Sequence, residues 1–420
     1  MHIYLDNIGC RLNWSEIEML ARQFTTAGHS VVATPQNANV IILNTCAVTA
    51  QAERKTRHQV RSLHRDNPQA RIAVIGCYPT LRPETCADFP GVAWVVANEK
   101  KSSTVDLVTA QRLPSTSWRE PADGAGMLRT RGFIKVQDGC DHQCTYCIIT
   151  SLRGPSRSRP LTAITAEVAT LMEEAGCKEA VLTGASLGAY GRDLGLIDGL
   201  RTLVRTLLDD TEIARIRLSS LEPWDVDEAL FELWADTRLC RQIHLPLQAG
   251  CDATLRRMGR PTSREAFSRL VHAARASIPD LAVTTDVLVG FPGENEDAFH
   301  ESYEFVKQMT FAKLHVFPYS RRPGTPAARL PDQVPRTVRD RRARRMRSLG
   351  AEQRRRFQRQ FIGREMKVLW EQRQRDSRWV GWTDNYIRVA ARAEANLRNQ
   401  ITGARLLALE NGHLEGAVVP

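Results

Sequence analysis

Cys140-Asp-His-Gln-Cys144-Thr-Tyr-Cys147 packs three thiols into eight residues, with three and then two residues between them. Three cysteines can hold three corners of an iron–sulfur cube and leave the fourth iron without a protein ligand, open to a small molecule. A four-thiolate cluster is more often a closed electron carrier. Zinc is the competing reading, but structural zinc sites usually take four protein ligands, and only His142 stands near enough to supply a fourth. A strand-like run, Phe133–Gln137, leads straight into the thiols. Five more follow, at Ala180–Thr183, Arg215–Ser219, Gln242–Leu245, Ala282–Val289 and Leu314–Phe317, with helical patterns such as Ile164–Ala175 and Arg264–Ala276 between them. Six βα units predict an open, partial (βα)6 barrel, whose reactive site belongs at the C-terminal mouth of its strands.

Upstream, residues 1–110 alternate strand and helix. His2–Asp6 is a short strand, and Ile17, Leu20, Ala21 and Phe24 then recur at helical spacing, with Asn13 as candidate N-cap and Gly28 past the end. Val40–Asn44 and Arg71–Gly76 are apolar runs suited to buried parallel strands, which predicts a doubly wound parallel sheet. Each of these three strands ends at a cysteine: Cys10, Cys46 and Cys77. Right-handed crossovers keep such ends on one edge, where ligands bind, so the three thiols are expected to meet in space. Three unrelated buried cysteines are the alternative.

A linker is expected at about 106–130, separating this unit from a core at 126–355. From 360 to 420 short β-rich runs at Met366–Glu371, Trp379–Trp382, Tyr386–Ala390 and Leu406–Leu409 predict a small β-barrel of a kind used to bind RNA. Between core and barrel, eleven arginines crowd residues 336–359 against only Asp340 and Glu352, within a chain of formal net charge +11. That density is an electrostatic footprint for polyphosphate, although a solvated helix face is also compatible with it. No apolar run approaches a membrane span, and Met1-His-Ile-Tyr-Leu-Asp lacks the pattern of a secretory signal. A cytoplasmic, monomeric protein with no membrane contact is therefore expected, its ten cysteines serving metal or catalysis rather than disulfides.

Taken together, Gly-Cys10-Arg-Leu-Asn, Asn-Thr-Cys46-Ala-Val-Thr, Gly-Cys77-Tyr, the Cys140–Cys147 loop with Arg153-Gly-Pro-Ser-Arg157-Ser-Arg159, and the downstream motifs resemble the radical S-adenosylmethionine (SAM) methylthiotransferases nearly end to end. Those downstream motifs are Leu182-Thr-Gly184, Ser219-Ser220-Leu-Glu222-Pro, His244-Leu-Pro-Leu-Gln248-Ala-Gly250 and Asp286-Val-Leu-Val-Gly290-Phe-Pro-Gly293-Glu294. The resemblance implies two [4Fe-4S] clusters. Cys140, Cys144 and Cys147 would hold the one that binds SAM and drives its cleavage to a 5′-deoxyadenosyl radical. Cys10, Cys46 and Cys77 would hold an auxiliary cluster carrying the sulfur to be methylated and inserted. It also implies that Tyr146 stands beside the adenine of SAM and that the C-terminal unit is a TRAM domain. Glu222 or Ser220 would reach the SAM ribose, while Gly184 and Gly290 allow close backbone approach to it or are plain turn glycines. Cys86, Cys177, Cys240 and Cys251 read as structural, and His244 and His315 as satisfied core histidines.

The N-terminal Gly-Cys10-Arg-Leu-Asn and His315-Val-Phe317-Pro318-Tyr319-Ser320-Arg-Arg-Pro-Gly324 resemble the subfamily that modifies N6-threonylcarbamoyladenosine beside the tRNA anticodon. Other members act on N6-isopentenyladenosine or on an aspartate of a small-subunit ribosomal protein. A metal-stabilised RNA-binding protein without turnover is the non-enzymatic alternative. The implied partners are the tRNA anticodon stem-loop, a flavodoxin- or ferredoxin-like electron donor and an unidentified sulfur donor. Trp379, Trp382 and Tyr386 either stack on bases or fill the small barrel's core.

Overall fold

The computed structural model describes residues 1–110 and 130–419. Most of the expected linker lies outside them, and its first residues close the helix Thr104–Thr109. The N-terminal sheet is wholly parallel, with strands β1 (His2–Asn7), β2 (Ser30–Val32), β3 (Val40–Thr45), β4 (Arg71–Gly76) and β5 (Val92–Ala97) in the order β2-β1-β3-β4-β5. All six residues of β3 are buried because helices cover both faces. Val40 and Ile42 meet Ile17, Leu20 and Phe24 of the helix Arg11–Thr26, while Ile41 and Leu43 meet Val60 and Leu63 of Ala50–Asp66. β2 and β5 escaped the sequence reading; the first is only three residues long and the second is half-exposed.

One local expectation is corrected. The first helix is capped by Cys10, not Asn13, and Asn13 lies inside it, buried. Its amide reaches back to the carbonyls of Ile8 and Thr45, at 3.3 and 3.0 Å. The residue thus ties the ends of β1 and β3 together instead of satisfying the helix terminus.

The core carries β6 (Arg131–Lys135), a ribbon of β7 (Gln137–Asp138) with β8 (Arg157–Ser158), then β9 (Glu179–Thr183), β10 (Arg215–Leu218), β11 (Gln242–His244), β12 (Ala282–Val289) and β13 (Lys313–Pro318). The six long-axis strands pair in parallel as β6-β9-β10 and β11-β12-β13, joined by the single bridges Ile216↔Leu239 and Ser220↔His244. This is the expected open six-stranded barrel, and the Cys140–Cys147 loop leaves its first strand at the C-terminal mouth. The arginine-rich segment is one helix, Arg336–Arg359, which buries Ala343, Met346 and Leu349 against the core.

The C-terminal unit is a closed barrel of β14 (Glu365–Arg373), β15 (Arg378–Thr383), β16 (Arg388–Arg392), β17 (Ile401–Glu410) and β18 (His413–Val418), ordered β14-β15-β16-β18-β17. Trp379 fills its core. Trp382 and Tyr386 do not; they stack on each other, with ring centroids 4.7 Å apart, where the barrel docks on the core. Tyr386 sits in a tight turn at φ +65°, so the strand expected from it begins only at Arg388.

Docking depends on arginines at the starts of the core strands. Arg217 is fully buried, donating to Glu179 at 2.7 Å and to the Asp384 carbonyl at 2.9 Å. Arg215 reaches the carbonyls of Trp382 and Lys367 at 3.0 and 2.8 Å. Burial alone would raise the pKa of Glu179, but Arg217, with Arg131 and Arg215, outweighs it and holds the carboxyl at about 2. A depressed carboxylate stabilises the fold above its unfolded pKa near 4.3, and that contribution fades as pH falls towards about 2. Glu179→Gln leaves buried guanidinium groups uncompensated and should cost about 3–5 kcal/mol in urea unfolding at pH 7. The gap from the parent chain should narrow as pH drops below 4; a gap independent of pH would refute this assignment.

Candidate active site

Three short motifs bring Cys10, Cys46 and Cys77 to one edge of the N-terminal sheet, at the ends of β1, β3 and β4. Gly76 makes the third approach possible: at φ +100° a Cβ would stand 2.5 Å from Asn44 Oδ1. Thr45 Oγ1 donates to the Ile75 carbonyl at 2.8 Å and accepts from the Tyr78 amide at 3.3 Å, locking two of the motifs together. The thiols are close enough to influence one another, Cys46 and Cys10 each feeling Cys77. Burial is the main cause that raises the Cys10 thiol and pushes Cys46 up to about 12. Cys10 is nevertheless solvent-exposed. A group both exposed to water and desolvated by surrounding protein lines a cleft, not a convex surface. Cys86 is fully buried in the apolar core beside β4, and burial alone accounts for its raised thiol.

The second triad sits at the barrel mouth. Gly139, at φ +72°, lets the loop pass where a Cβ would overlap the Pro155 carbonyl. Cys140, Cys144 and Cys147 are all half-exposed, Cys147 feels the other two, and burial raises each, Cys147 to about 12. Ligation would displace these protons, so cluster assembly is linked to pH. His142 does not join the thiols. Its Nε2 meets Asp225 at 3.0 Å, and its ring stands edge-on to Trp224 at 5.2 Å.

Among the described residues no three His, Cys, Asp or Glu side chains converge on a single-ion position. A zinc knuckle requires such convergence, whereas an open cubane places each thiolate on a different iron and keeps the sulfurs apart. Each triad offers thiolate sulfur alone, the donor that cubane iron–sulfur clusters take. Buried Ser219 Oγ and Arg260 Nε, both beyond the C-terminal ends of barrel strands, have no hydrogen-bond partner among the described residues, whereas Ser186 lies beside the Cys140 thiol. Such orphans fit a bound polar molecule.

Arg260 organises this mouth and was missed in the sequence, where it is one arginine among many. It donates to Glu222 at 2.9 Å, to Tyr146 Oη at 3.3 Å and to the Pro246 carbonyl, and its Nη1 lies 4.0 Å from Cys144 Sγ. Tyr146 packs edge-on against Phe291 at 6.3 Å, while Ser220 bridges to His244. Gly184 and Gly290 have reasons within the protein. A Cβ on Gly184 would meet Gln137 Oε1 at 2.7 Å, and Gly290, at φ +72°, is overlain by Arg339. His244 and His315 are also more accessible than core histidines, both lying half-buried on one face of β11–β13.

Arg153 is shared by the surroundings of the two triads: it ends the helix Ile149–Arg153 behind the second and reaches the first. Arg153 is buried, donating to Glu16 at 3.1 Å, to Asp138 at 2.8 Å and to Asn13 Oδ1 at 2.7 Å, and that same oxygen lies 3.6 Å from Cys10 Sγ. Its charge acts on Cys10 and Cys46. Asn98 adds a second link, donating to Cys77 Sγ at 3.4 Å and to the Leu152 carbonyl at 2.9 Å. The segment after β13 completes the enclosure. The Ala50 amide donates to Ser320 Oγ at 3.2 Å, Arg322 pairs with Glu53, and the Ala327 amide donates to the Thr145 carbonyl at 2.8 Å.

Residues 2–97 match the model of the family described as uncharacterized protein family UPF0004, and residues 134–306 that of the radical SAM superfamily. The chain is 33% identical over 433 residues to threonylcarbamoyladenosine tRNA methylthiotransferase MtaB of Bacillus subtilis (strain 168), spanning 98% of this chain and 95% of that one. It is 32% identical over 434 residues to tRNA-2-methylthio-N(6)-dimethylallyladenosine synthase of Syntrophotalea carbinolica, spanning 98% of each. Among solved structures it is similar to the radical SAM methyltransferase TsrM of Kitasatospora setae. The TM-score is 0.55 at 14% identity, over 78% of this chain and 74% of that one, a likeness of fold.

Arg153→Met tests the shared neighbour. Glu16 keeps Lys101 at 2.7 Å and Lys135 at 3.3 Å, so the loss should fall at the low end for a broken buried pair, about 3 kcal/mol. Thermal unfolding should show it, and an unchanged midpoint would mean that Arg153 carries no structural load.

Proposed function

The chain belongs to the radical-SAM methylthiotransferases, and from that premise we propose that it methylthiolates carbon 2 of N6-threonylcarbamoyladenosine at position 37 of tRNA. The observation that supports the reading is that one segment, residues 320–327, contacts both Ala50 and Glu53 beyond Cys46 and Thr145 within the Cys140–Cys147 loop, in a chain aligned from end to end with MtaB proteins. Radical SAM chemistry needs one open cluster. Sulfur insertion needs a second site facing it.

Cys140, Cys144 and Cys147 would ligate a [4Fe-4S] cluster with SAM at its open iron, which supplies one-electron cleavage of the sulfonium bond. Cys10, Cys46 and Cys77 would ligate an auxiliary cluster of the same type. The protein's own part is placement. Arg260 holds the Glu222 carboxylate and the Tyr146 phenol in one plane of contact, so that Glu222 can accept from ribose hydroxyls and Tyr146 flank the adenine. Arg153 sets a fixed positive charge beside the auxiliary thiolates. The segment 320–327 ties the start of the helix Ala50–Asp66 to the Cys140–Cys147 loop. A flavodoxin- or ferredoxin-like protein would deliver electrons, and a monomer needs no further side chain to complete either triad. The C-terminal barrel, read as a TRAM domain, and the exposed arginines of the preceding helix would hold the anticodon stem-loop. No helix among the described residues is long and apolar enough to cross a membrane.

The relative that acts on dimethylallyladenosine keeps a second substrate reading in play. Nucleoside mass spectrometry of tRNA from a strain lacking the gene decides between them. The account expects 2-methylthio-N6-threonylcarbamoyladenosine to vanish and its unthiolated precursor to accumulate, with restoration by the parent chain but not by a Cys46→Ala variant. Loss of the isopentenyl derivative instead would overturn the substrate assignment.

A further inference from the structure

β13 pairs with β12 in the register Thr284↔Lys313 and Asp286↔His315. Strand periodicity puts Lys313 and His315 on one face, since Leu314 and Val316 point to the core beneath the helix Arg336–Arg359. That face lines the barrel lumen. His244 Nδ1 meets Thr284 Oγ1 at 2.9 Å, His244 Nε2 lies 3.4 Å from Asp286, and the His244 and His315 rings meet edge-on at 5.7 Å. Arg11 approaches from the opposite wall and donates to Tyr386 Oη at 3.1 Å. The group lies low in the lumen, at the start of β13 and against the seam with the C-terminal barrel; Arg11 directly follows Cys10, and Asp286, nearer the mouth, feels Arg260, whose Nη1 lies 4.0 Å from Cys144 Sγ.

The charges here do not cancel. Burial, reinforced by Lys313, lowers His315 to about 4, so it is neutral at pH 7, and Asp286 is engaged by His244. Among the described residues neither Lys313 nor Arg11 has a carboxylate partner; the acidic group that acts on both is the Tyr386 phenol, which accepts from Arg11 at 3.1 Å. The other half-buried lysine nearby, Lys135, has two, Glu16 and Asp138. A cation withdrawn from water without a counter-ion carries a desolvation cost that an arriving anion relieves.

We infer that Lys313 and Arg11 form a carboxylate subsite, which receives the acid group of the threonylcarbamoyl substituent and sets the enzyme's choice of modified adenosine. The inference rests on the substrate reading above. A threonylcarbamoyl group ends in a carboxylate and a hydroxyl, whereas a dimethylallyl group has neither. A site built to pair a polar group discriminates strongly against an analogue that lacks it. A target base in the cleft above projects its N6 substituent towards this wall, where Lys313 and Arg11 compensate the negative charge.

The test is equilibrium binding of the cluster-loaded chain to anticodon stem-loops that differ only at the target adenosine: unmodified, N6-dimethylallyl, N6-threonylcarbamoyl, and the threonylcarbamoyl carboxamide. The parent chain should bind the carboxylate form roughly 30-fold more tightly than the carboxamide, the scale of one truncated buried charge contact. Lys313→Met should erase that preference while leaving affinity for the unmodified loop within about twofold, and Lys313→Arg should keep most of it. Equal weakening toward all four loops would assign Lys313 to backbone phosphates and overturn the subsite. So would a parent chain indifferent to the carboxamide, a result independent of how any variant folds. A parent chain that methylthiolates only the dimethylallyl loop removes the substrate reading and the subsite with it. Turnover on threonylcarbamoyladenosine without carboxylate preference removes the subsite alone.

Discussion

The guanidinium of Arg153 is the joint on which the two halves of this molecule meet. It enters from the loop that follows the second triad and ends among Glu16, Asn13 and Asp138, directly behind the first. Glu16 is held ionised against the cost of burial by Lys101, Arg153 and Lys135 together. A carboxylate so enclosed cannot be left with fewer partners cheaply, and its partners come from the N-terminal sheet, from β6 and from the cysteine loop. Separating the halves would strand these charges. The same charges fix the loop of the second triad against the strand ends that carry the first.

A second constraint acts at the opposite end. The small C-terminal barrel plugs the starts of the core strands through Arg217, Arg215 and Arg241, and Tyr386 is drawn into a nest of guanidinium groups that, against the opposing effect of burial, lower its phenol to about 8. The arginine-rich helix between core and barrel spends part of its charge internally. Glu296 engages Arg341, Arg342 and Arg345, and Arg336 pairs with Asp340. What remains for a polyanion is an exposed group including Arg344, Arg355, Arg356 and Arg359, narrower than the sequence alone implied.

The legible parts of the sequence were those governed by local rules. Alternating apolar runs located the core strands within a few residues, and cysteines at strand ends put Cys10, Cys46 and Cys77 on one sheet edge. Those features depend on periodicity and topology alone. The parts that stayed hidden depend on long-range partners. Asn13 looked like a helix cap because its position is defined by Thr45, thirty-two residues away. Arg260 and Arg153 could not be told from their neighbours, since what distinguishes them is burial against specific acceptors. Trp382 and Tyr386 were read as base-stacking or barrel core, and they belong to a seam between units whose existence no single segment encodes. His244 and His315 read as core because their strands are apolar, although their half-buried face opens on the lumen.

The central claim is that each triad holds its own cluster. Iron quantification with Mössbauer spectroscopy after anaerobic reconstitution tests it most directly, on the parent chain and on two variants: Cys10, Cys46 and Cys77 all changed to alanine, or Cys140, Cys144 and Cys147 all changed to alanine. The account predicts about eight irons in the parent and about four in each variant, all in cubane form. A parent chain that holds only four irons, or only zinc, or a single triple variant that loses all iron, would contradict it.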